Sequence, residues 1–248
     1  MDRLVSCVLP TANRPKFVAQ AVRYFLSQDY PHRELVVVDD GDVPVADVVR
    51  GDARIRYVRH PGGLTLGAKR NFCVSQCRGD LVMHWDDDDW MAAHRISYQV
   101  AALDAADAEV CGLAQILFHE PLSGRTWLYD YPTHERAWLA GGSLLYTKAF
   151  WERAPFPDVQ VASDTTFVWS QPLHRVAIVP DYRFYVALIH PRNTSPKYVD
   201  LDHWTSWPGN VHALFGADAE FYDGLAEEWA REEGGEATRP PSPVTPRG

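Results

Sequence analysis

VSCVLPTANRPKFVAQAVRYFLSQDYPHRELVVVDDG, residues 5–41, is the stretch that decides the fold. Leu4–Leu9 is a short apolar run stopped by Pro10, which predicts a strand. Asn13 stands where an N-cap belongs, with Pro15 in the first turn behind it. Phe17, Val18, Ala21, Val22, Phe25 and Leu26 then recur on one face of a helix. Glu34–Asp39 carries an unbroken apolar core, as a strand covered on both faces would.

The same alternation continues outward. Ile55–Val58 is a shorter strand, and Leu66–Cys77 reads as a helix with Gly79 placed to end it. Leu81–Trp85 is the next apolar run, followed by a helix with Ile96, Val100 and Leu103 on one face, and Val110–Phe118 is strand-like again. Strands alternating with helices predict an α/β protein, with a parallel sheet and helices on both faces. The second half differs. Phe118–Tyr131 looks like a hairpin around Ser123–Gly124, Lys148–Arg153 a short helix, and Val176–Val179 and Phe184–Ile189 strands, in a region dense in Trp and Tyr. The stretch from Arg231, REEGGEATRPPSPVTPRG, is rich in Pro, Gly and charge and predicts a disordered tail over 231–248. Residues 1–230 are then one domain with an irregular C-terminal subdomain.

With 248 residues and 46% hydrophobic residues the chain can bury a core without staples. The net charge of −9 argues against nucleic acid as a partner, because nothing offsets phosphate repulsion. Cys7, Cys73, Cys77 and Cys111 form no metal-ligand spacing and read as reduced, buried thiols. No run approaches 18 apolar residues, so no membrane span is expected, and MDRLVSCVLPT shows no signal-peptide core; a cytoplasmic setting is the expectation.

Asp86-Asp87-Asp88-Asp89-Trp90 directly follows an apolar strand. Four adjacent carboxylates repel one another unless solvent or a cation offsets the charge. Ligands of open parallel sheets bind beyond the carboxyl ends of strands, and a hard divalent ion, Mg²⁺ or Mn²⁺, suits oxygen ligands there. Pro10-Thr11-Ala12-Asn13-Arg14-Pro15 leads from the first strand into a helix N-terminus. Asp39-Asp40-Gly41 ends the second strand and reads either as an Asp-Gly turn or as a carboxylate for a base or ribose.

Together these segments resemble the opening of glycosyltransferase family 2. GLTLGAKRN (residues 63–71) resembles that family's Gly…Ala-x-Arg-Asn segment, and LVMHWDDDDW (81–90) its strand ending in Asp-x-Asp. The resemblance is good from Leu4 to about Trp90 and traceable to about Ser195. It implies the GT-A fold, a Rossmann-like, mostly parallel sheet, with a nucleotide-binding half (1–115) and an acceptor-binding half (116–230). It implies a nucleotide-sugar donor, usually of UDP, a divalent cation and inverting transfer to an acceptor hydroxyl. Pro10, Thr11, Asn13 and Arg14 would border the nucleotide, Asp39 would meet the base, and Asp40 would support that pocket. Gly67, Arg70 and Asn71 would lie near base and ribose, and Asp86 at the ribose or a metal-bound water. Asp88 would be the metal ligand with Asp89 beside it, while Asp87 borders the nucleotide site and faces solvent. Lys69 would either add charge near the phosphates or lie on an exposed helix face.

In the second half, Ser163-Asp164-Thr165 stands where the family has its general base, often as Glu-Asp. Asp164 is the carboxylate retained here, and Asp158 is a weaker candidate. His190-Pro191-Arg192-Asn193-Thr194-Ser195 resembles a segment that closes over the diphosphate. His190 would ligate the metal or serve as a hydrogen-bonded structural residue, Arg192 would meet a phosphate, and Asn193 and Ser195 would belong to a lid. Trp90 and Trp138 are candidates for the acceptor side, and exposed aromatics would permit a homodimer. A nucleotide-sugar pyrophosphorylase would need a glycine-rich loop where PTANRP stands. A haloacid-dehalogenase phosphotransferase would need its Asp-x-Asp after the first strand. A non-catalytic nucleotide- or carbohydrate-binding relative is disfavoured by the intact Asp88 and Asp164.

Overall fold

The computed structural model of the chain describes residues 3–131, 137–170, 172–195 and 197–236. The first half runs β1 (Val5–Thr11), α1 (Pro15–Leu26), β2 (Arg33–Asp39), β3 (Ile55–Arg59), α2 (Leu66–Ser75), β4 (Leu81–His84), β5 (Trp90–Met91), α3 (Arg95–Ala105) and β6 (Val110–Gly112). The second half adds β7 (Gln115–Glu120), β8 (Arg125–Asp130), β9 (Leu145–Thr147), α4 (Lys148–Arg153), α5 (Ser163–Trp169), β10 (Val176–Ile178), β11 (Tyr185–Leu188), β12 (Trp204–Ser206), α6 (Val211–Phe215) and α7 (Ala219–Glu236).

One sheet has the order β10-β6-β9-β4-β1-β2-β3. It is parallel except at β9, which runs against both β4 and β6. Alternate residues of β1 feed different cores. Val5, Cys7 and Leu9 pack with Phe17, Val18, Ala21 and Phe25 of α1 and with Ile96 and Leu103 of α3. Val8 packs with Cys73 and Val74 of α2, Phe150 of α4 and Phe167 of α5. Each such side chain removed from water contributes about 1.5–3 kcal/mol, so helices cover both faces as the alternation predicts.

Four local expectations are corrected. Pro10 does not stop β1: it pairs in register with Val38, and Thr11 with Asp39. Val8 gives its carbonyl to Trp85 N–H (2.9 Å), so Pro10, two residues on, turns its nitrogen past the end of β4, where no ladder bond is lost. Asn13 does not cap α1. It sits at φ +59 and its Oδ1 accepts from Val43 N–H, while Arg14 holds the cap position without a side-chain cap bond. Gly79 does not end α2, which stops at Ser75; a Cβ on Gly79 would overlap the Leu4 carbonyl. Val110–Phe118 is two strands, because the chain leaves the first sheet at Gly112 and enters a second one at Gln115.

That second sheet, β12-β8-β7-β11-β5, gives the C-terminal half more order than its sequence suggests. β7 and β8 form the expected hairpin, and β11 lies parallel to β7. The expected tail is helical over 231–236, where α7 continues to Glu236; residues 237–248 lie outside the described residues. All four cysteines are free and buried, and burial pushes each thiol up, Cys77 and Cys111 to about 12. Among the described residues no helix is long and apolar enough to cross a membrane.

Candidate active site

Beyond the carboxyl ends of β1 and β4 lies a cleft of about 400 Å³. Thr11 and Arg14 line it from the first strand-to-helix loop, Asp86 to Asp89 from the loop after β4, and Lys69 and Arg70 from α2. The second half contributes Trp138, Gly141, Gly142, Asp164, Tyr185 and the segment 193–197 without residue 196. Candidates far apart in sequence therefore meet in one cavity.

The four aspartates have four environments. Asp87 does not face solvent: it is 5% exposed, accepting from the Thr11 hydroxyl (2.6 Å) and Arg14 Nη1 (2.9 Å). Burial, with Asp88 beside it, pushes its carboxyl up to about 7. Asp89 turns away from the cleft mouth and accepts from the Tyr185 hydroxyl and Leu188 N–H (3.0 Å). Burial and then the neighbouring carboxylates raise it well above the usual carboxylate range. Asp88 Oδ2 accepts from Arg14 Nη1 (2.8 Å) and from His190 Nε2 (2.9 Å). Burial pushes Asp88 up, but the His190 hydrogen bond and Arg14 outweigh it and hold the carboxyl below its ordinary value. Asp86 lines the cleft with no hydrogen bond among the described residues, and burial raises it against the pull of Arg70.

His190 is wedged between two rings, Phe17 at 5.2 Å and Trp229 of α7 at 5.5 Å. Its Nδ1 accepts from Arg192 N–H (3.1 Å), so the ring proton is on Nε2, which donates to Asp88. In this arrangement His190 supports Asp88 through its Nε2 proton. The Arg192 side chain turns outward to Glu232, and only its backbone touches the site, the N–H on His190 and the carbonyl accepting from Arg14. Asn193 braces the same turn through His190 N–H and the Leu188 carbonyl, and it lines the cleft with Ser195.

Several expected nucleotide contacts are committed elsewhere. Asp39 is fully buried and accepts from Gly41 N–H, Val45 N–H and the Tyr57 hydroxyl, with Arg59 at 3.2 Å. Asp40 pairs with Lys69 (2.6 Å), whose ammonium also donates to the Thr11 carbonyl; Lys69 is neither exposed nor free for a phosphate. The α2 segment reaches into the second half. Thr65 Oγ1 donates to Asp158 (2.6 Å), Gly67 N–H to the Val159 carbonyl, Arg70 Nη1 to Ser163 Oγ (2.9 Å) and Asn71 Nδ2 to the Phe156 carbonyl. A Cβ on Gly67 would overlap the Pro157 carbonyl, which accounts for glycine there. Gly67 and Asn71 thus tether the segment that leads to Asp164 and do not line the cleft, whereas Arg70 does both.

Asp164 lies in the first turn of α5, in the cleft, with no hydrogen bond among the described residues. Ala162 before it holds φ +60. Trp138 lines the cleft and donates Nε1 to Thr165 Oγ1 (3.2 Å). Trp90 does not: it is buried against Phe215 and its Nε1 faces Asp218 (3.4 Å), which removes it from the acceptor side. Tyr185, His84, Arg95 and the Gly141-Gly142 pair also belong to the site, although among them only the adjacent glycines carry a sequence signal that points to it.

Among the described residues no three His, Cys, Asp or Glu side chains converge as a metal cage. Asp86 and Asp88 are nevertheless hard oxygen donors on one cleft wall. Mg²⁺ or Mn²⁺ needs only one or two carboxylates when substrate phosphates and water supply the rest. The residues fit an ion that arrives with a diphosphate.

The profile of the family described as Glycosyl transferase family 2 matches residues 6–153. WcaA of Escherichia coli (strain K12), provisionally named a colanic acid biosynthesis glycosyl transferase, is 25% identical over 173 residues, covering 67% of this chain and 57% of that protein. Glycosyltransferase GlyG of Streptococcus pneumoniae is 26% identical over 115 residues, 44% of this chain and 38% of GlyG. The chain thus spans well under two thirds of these relatives. S. aureus TarS 1-349 in complex with UDP-GlcNAc shares the fold at TM-score 0.62 and 18% identity, over 92% of this chain and 71% of that one. The mannosyltransferase PcManGT from Pyrobaculum calidifontis, in complex with GDP-Man and Mn²⁺, does so at TM-score 0.59 and 17% identity, over 78% and 59%.

Proposed function

The chain belongs to glycosyl transferase family 2, and on that footing we propose that it is an inverting glycosyltransferase acting on a nucleoside-diphosphate sugar. The donor is a UDP-sugar, the reaction depends on Mg²⁺ or Mn²⁺, and the acceptor presents a hydroxyl. The observation that carries this reading is the meeting of Asp86, Asp88 and Asp164 in one cleft beyond the carboxyl ends of β1 and β4.

Asp88, fixed by Arg14 and His190, and Asp86, unpaired in the cleft, would hold the ion together with the donor phosphates. When bound, the ion neutralises charge that develops on the departing diphosphate. Arg14 and Arg70 place further positive charge on the same wall. Thr11, with its side chain held on Asp87, and Pro10 border the nucleotide. Asp164 accepts the proton of the acceptor hydroxyl as its oxygen attacks the anomeric carbon from the face opposite the leaving group. One candidate base supports a single displacement, hence inversion. Trp138 offers a ring beside Asp164 for the acceptor. Asn193, Ser195 and Lys197 close over the donor and limit its hydrolysis.

The test is release of nucleoside diphosphate from a panel of UDP- and GDP-sugars, with Mn²⁺ and with chelator. Metal-dependent release that Asp164→Asn lowers by about 10² or more supports the reading. Tight donor binding without release by the wild type, with every acceptor class offered, would instead make the chain a binding module.

A further inference from the structure

We infer that His84 and Arg95 are positioning residues for this reaction: from beneath the cleft they clamp the Gly141-Gly142 turn against which Asp164 and Asp86 rest. The inference takes Asp164 as the base, as proposed above.

His84, the last residue of β4, is 2% exposed. Its Nδ1 lies 2.6 Å from the Gly141 carbonyl, and its Nε2 lies 3.4 Å from the Tyr146 hydroxyl. A carbonyl only accepts, so the proton is on Nδ1 and Tyr146 donates to Nε2. Arg95 of α3 is fully buried and has no carboxylate within ion-pair distance among the described residues. Its Nη2 donates to the Gly142 carbonyl (2.8 Å) and to the His84 carbonyl (2.9 Å), and its Nε to Gln99 (3.0 Å). The guanidinium lies 4.7 Å from the Tyr185 ring centroid and 5.2 Å from that of Trp85.

A buried guanidinium without a paired carboxylate is an expensive way to hold a core together. Its bonds make sense as a way to fix backbone. Both glycine carbonyls are drawn inward by these two side chains, which leaves the turn with its Cα atoms toward the cleft. The contact there is immediate. A Cβ on Gly141 would overlap Asp164 Oδ2, and one on Gly142 would overlap the Tyr185 hydroxyl and crowd Asp86 Oδ2. Any slip of the turn therefore moves the wall against which both unpaired carboxylates are set, and a small misplacement of a reacting group costs rate steeply.

Four proteins separate the possibilities: wild type, His84→Leu, His84→Asn and Asp164→Asn. Each is followed by amide exchange across residues 141–143 and by UDP release from UDP-sugars with Mn²⁺. Asn can place an amide donor where Nδ1 stands, and Leu cannot. His84→Leu should speed exchange in the turn and lower kcat by about tenfold to a hundredfold with little change in donor KM, and His84→Asn should recover most of both. Equal behaviour of the Leu and Asn variants, or an unchanged turn in His84→Leu, overturns the clamp. Wild-type turnover by Asp164→Asn overturns the base assignment instead, and leaves the exchange contrast to judge the clamp alone. If His84→Leu does not fold, His84→Gln serves, because its amide reaches the position of Nε2 and leaves the Gly141 carbonyl without its donor. Combined with Asp164→Asn it should add no further loss, whereas an additive loss contradicts a clamp that acts through Asp164.

Discussion

Asp88 illustrates how a single residue acquires its role. Its Oδ2 is shared between Arg14 and His190, and His190 is fixed in turn by two rings and a backbone N–H. Asp88→Ala is expected to abolish Mn²⁺-dependent binding of UDP while leaving the fold intact, and calorimetry with and without the ion reads this directly. His190→Gln keeps a donor and should weaken that binding less than His190→Ala, by about tenfold between the two. If the two variants behave alike, the hydrogen bond to Asp88 is not what His190 supplies. Of the aspartate run, the sequence makes the clustering legible but not the division of labour. Asp87 and Asp89 go inward because Thr11, Arg14, Tyr185 and Leu188 N–H meet them there, and those partners are 73 to 99 residues away in chain order. Asp39 shows the same limit. Its position at the end of β2 is readable, while its four internal partners depend on how the loop after β2 folds back and on the register of β3 beside it.

At the scale of elements, α2 and α7 do work that a local reading assigns elsewhere. The Gly-Ala-Lys-Arg-Asn segment starts a helix, as expected over Leu66–Cys77, with Thr65 capping it, yet Arg70 and Asn71 hold residues 156–163 and so place α5. Nothing in the spacing of one helix reveals which distant loop it will hold. Composition likewise hid the end of α7, because Glu and Gly masked a helix whose Trp229 is buried on His190. Trp229→Ala is expected to destabilise the protein by about 3–5 kcal/mol and also to weaken UDP–Mn²⁺ binding through His190. Among the described side-chain contacts, removing residues from Arg231 onward deletes the exposed Arg192–Glu232 pair, worth about 1 kcal/mol at most, and the exposed bond from Arg231 to the Glu227 carbonyl. Urea midpoints of the two variants distinguish a docked helix from a dispensable one; equal midpoints would contradict the docking.

For the molecule as a whole, the alternation of apolar runs and helical faces sufficed for the α/β layering, and the order of motifs for the side of the sheet that bears the cleft. The second sheet was not legible, because β5 and β12 are only two and three residues long and owe their place to β11 and β8. Within that sheet His119 is 2% exposed, close to Thr126 Oγ1 (3.0 Å), and burial lowers it from 6.5 to about 4. The unfolded chain takes up a proton below its ordinary value while the native state does not, so stability is full above about pH 6.5 and falls as pH drops toward 4. Between pH 7 and 4.5 this residue should account for a loss of about 2–3 kcal/mol, and His119→Asn should flatten the profile by that amount. An unchanged profile would show that other groups govern acid unfolding.

The most direct test of the central claim is a calorimetric titration of the intact chain with UDP, GDP, CDP and dTDP, each with and without Mn²⁺. If Asp88 holds the ion beside a uridine nucleotide, UDP binds only with Mn²⁺ present and Asp88→Ala removes the binding. Binding of UDP that is equally tight without a divalent ion, or untouched by Asp88→Ala, would contradict that arrangement.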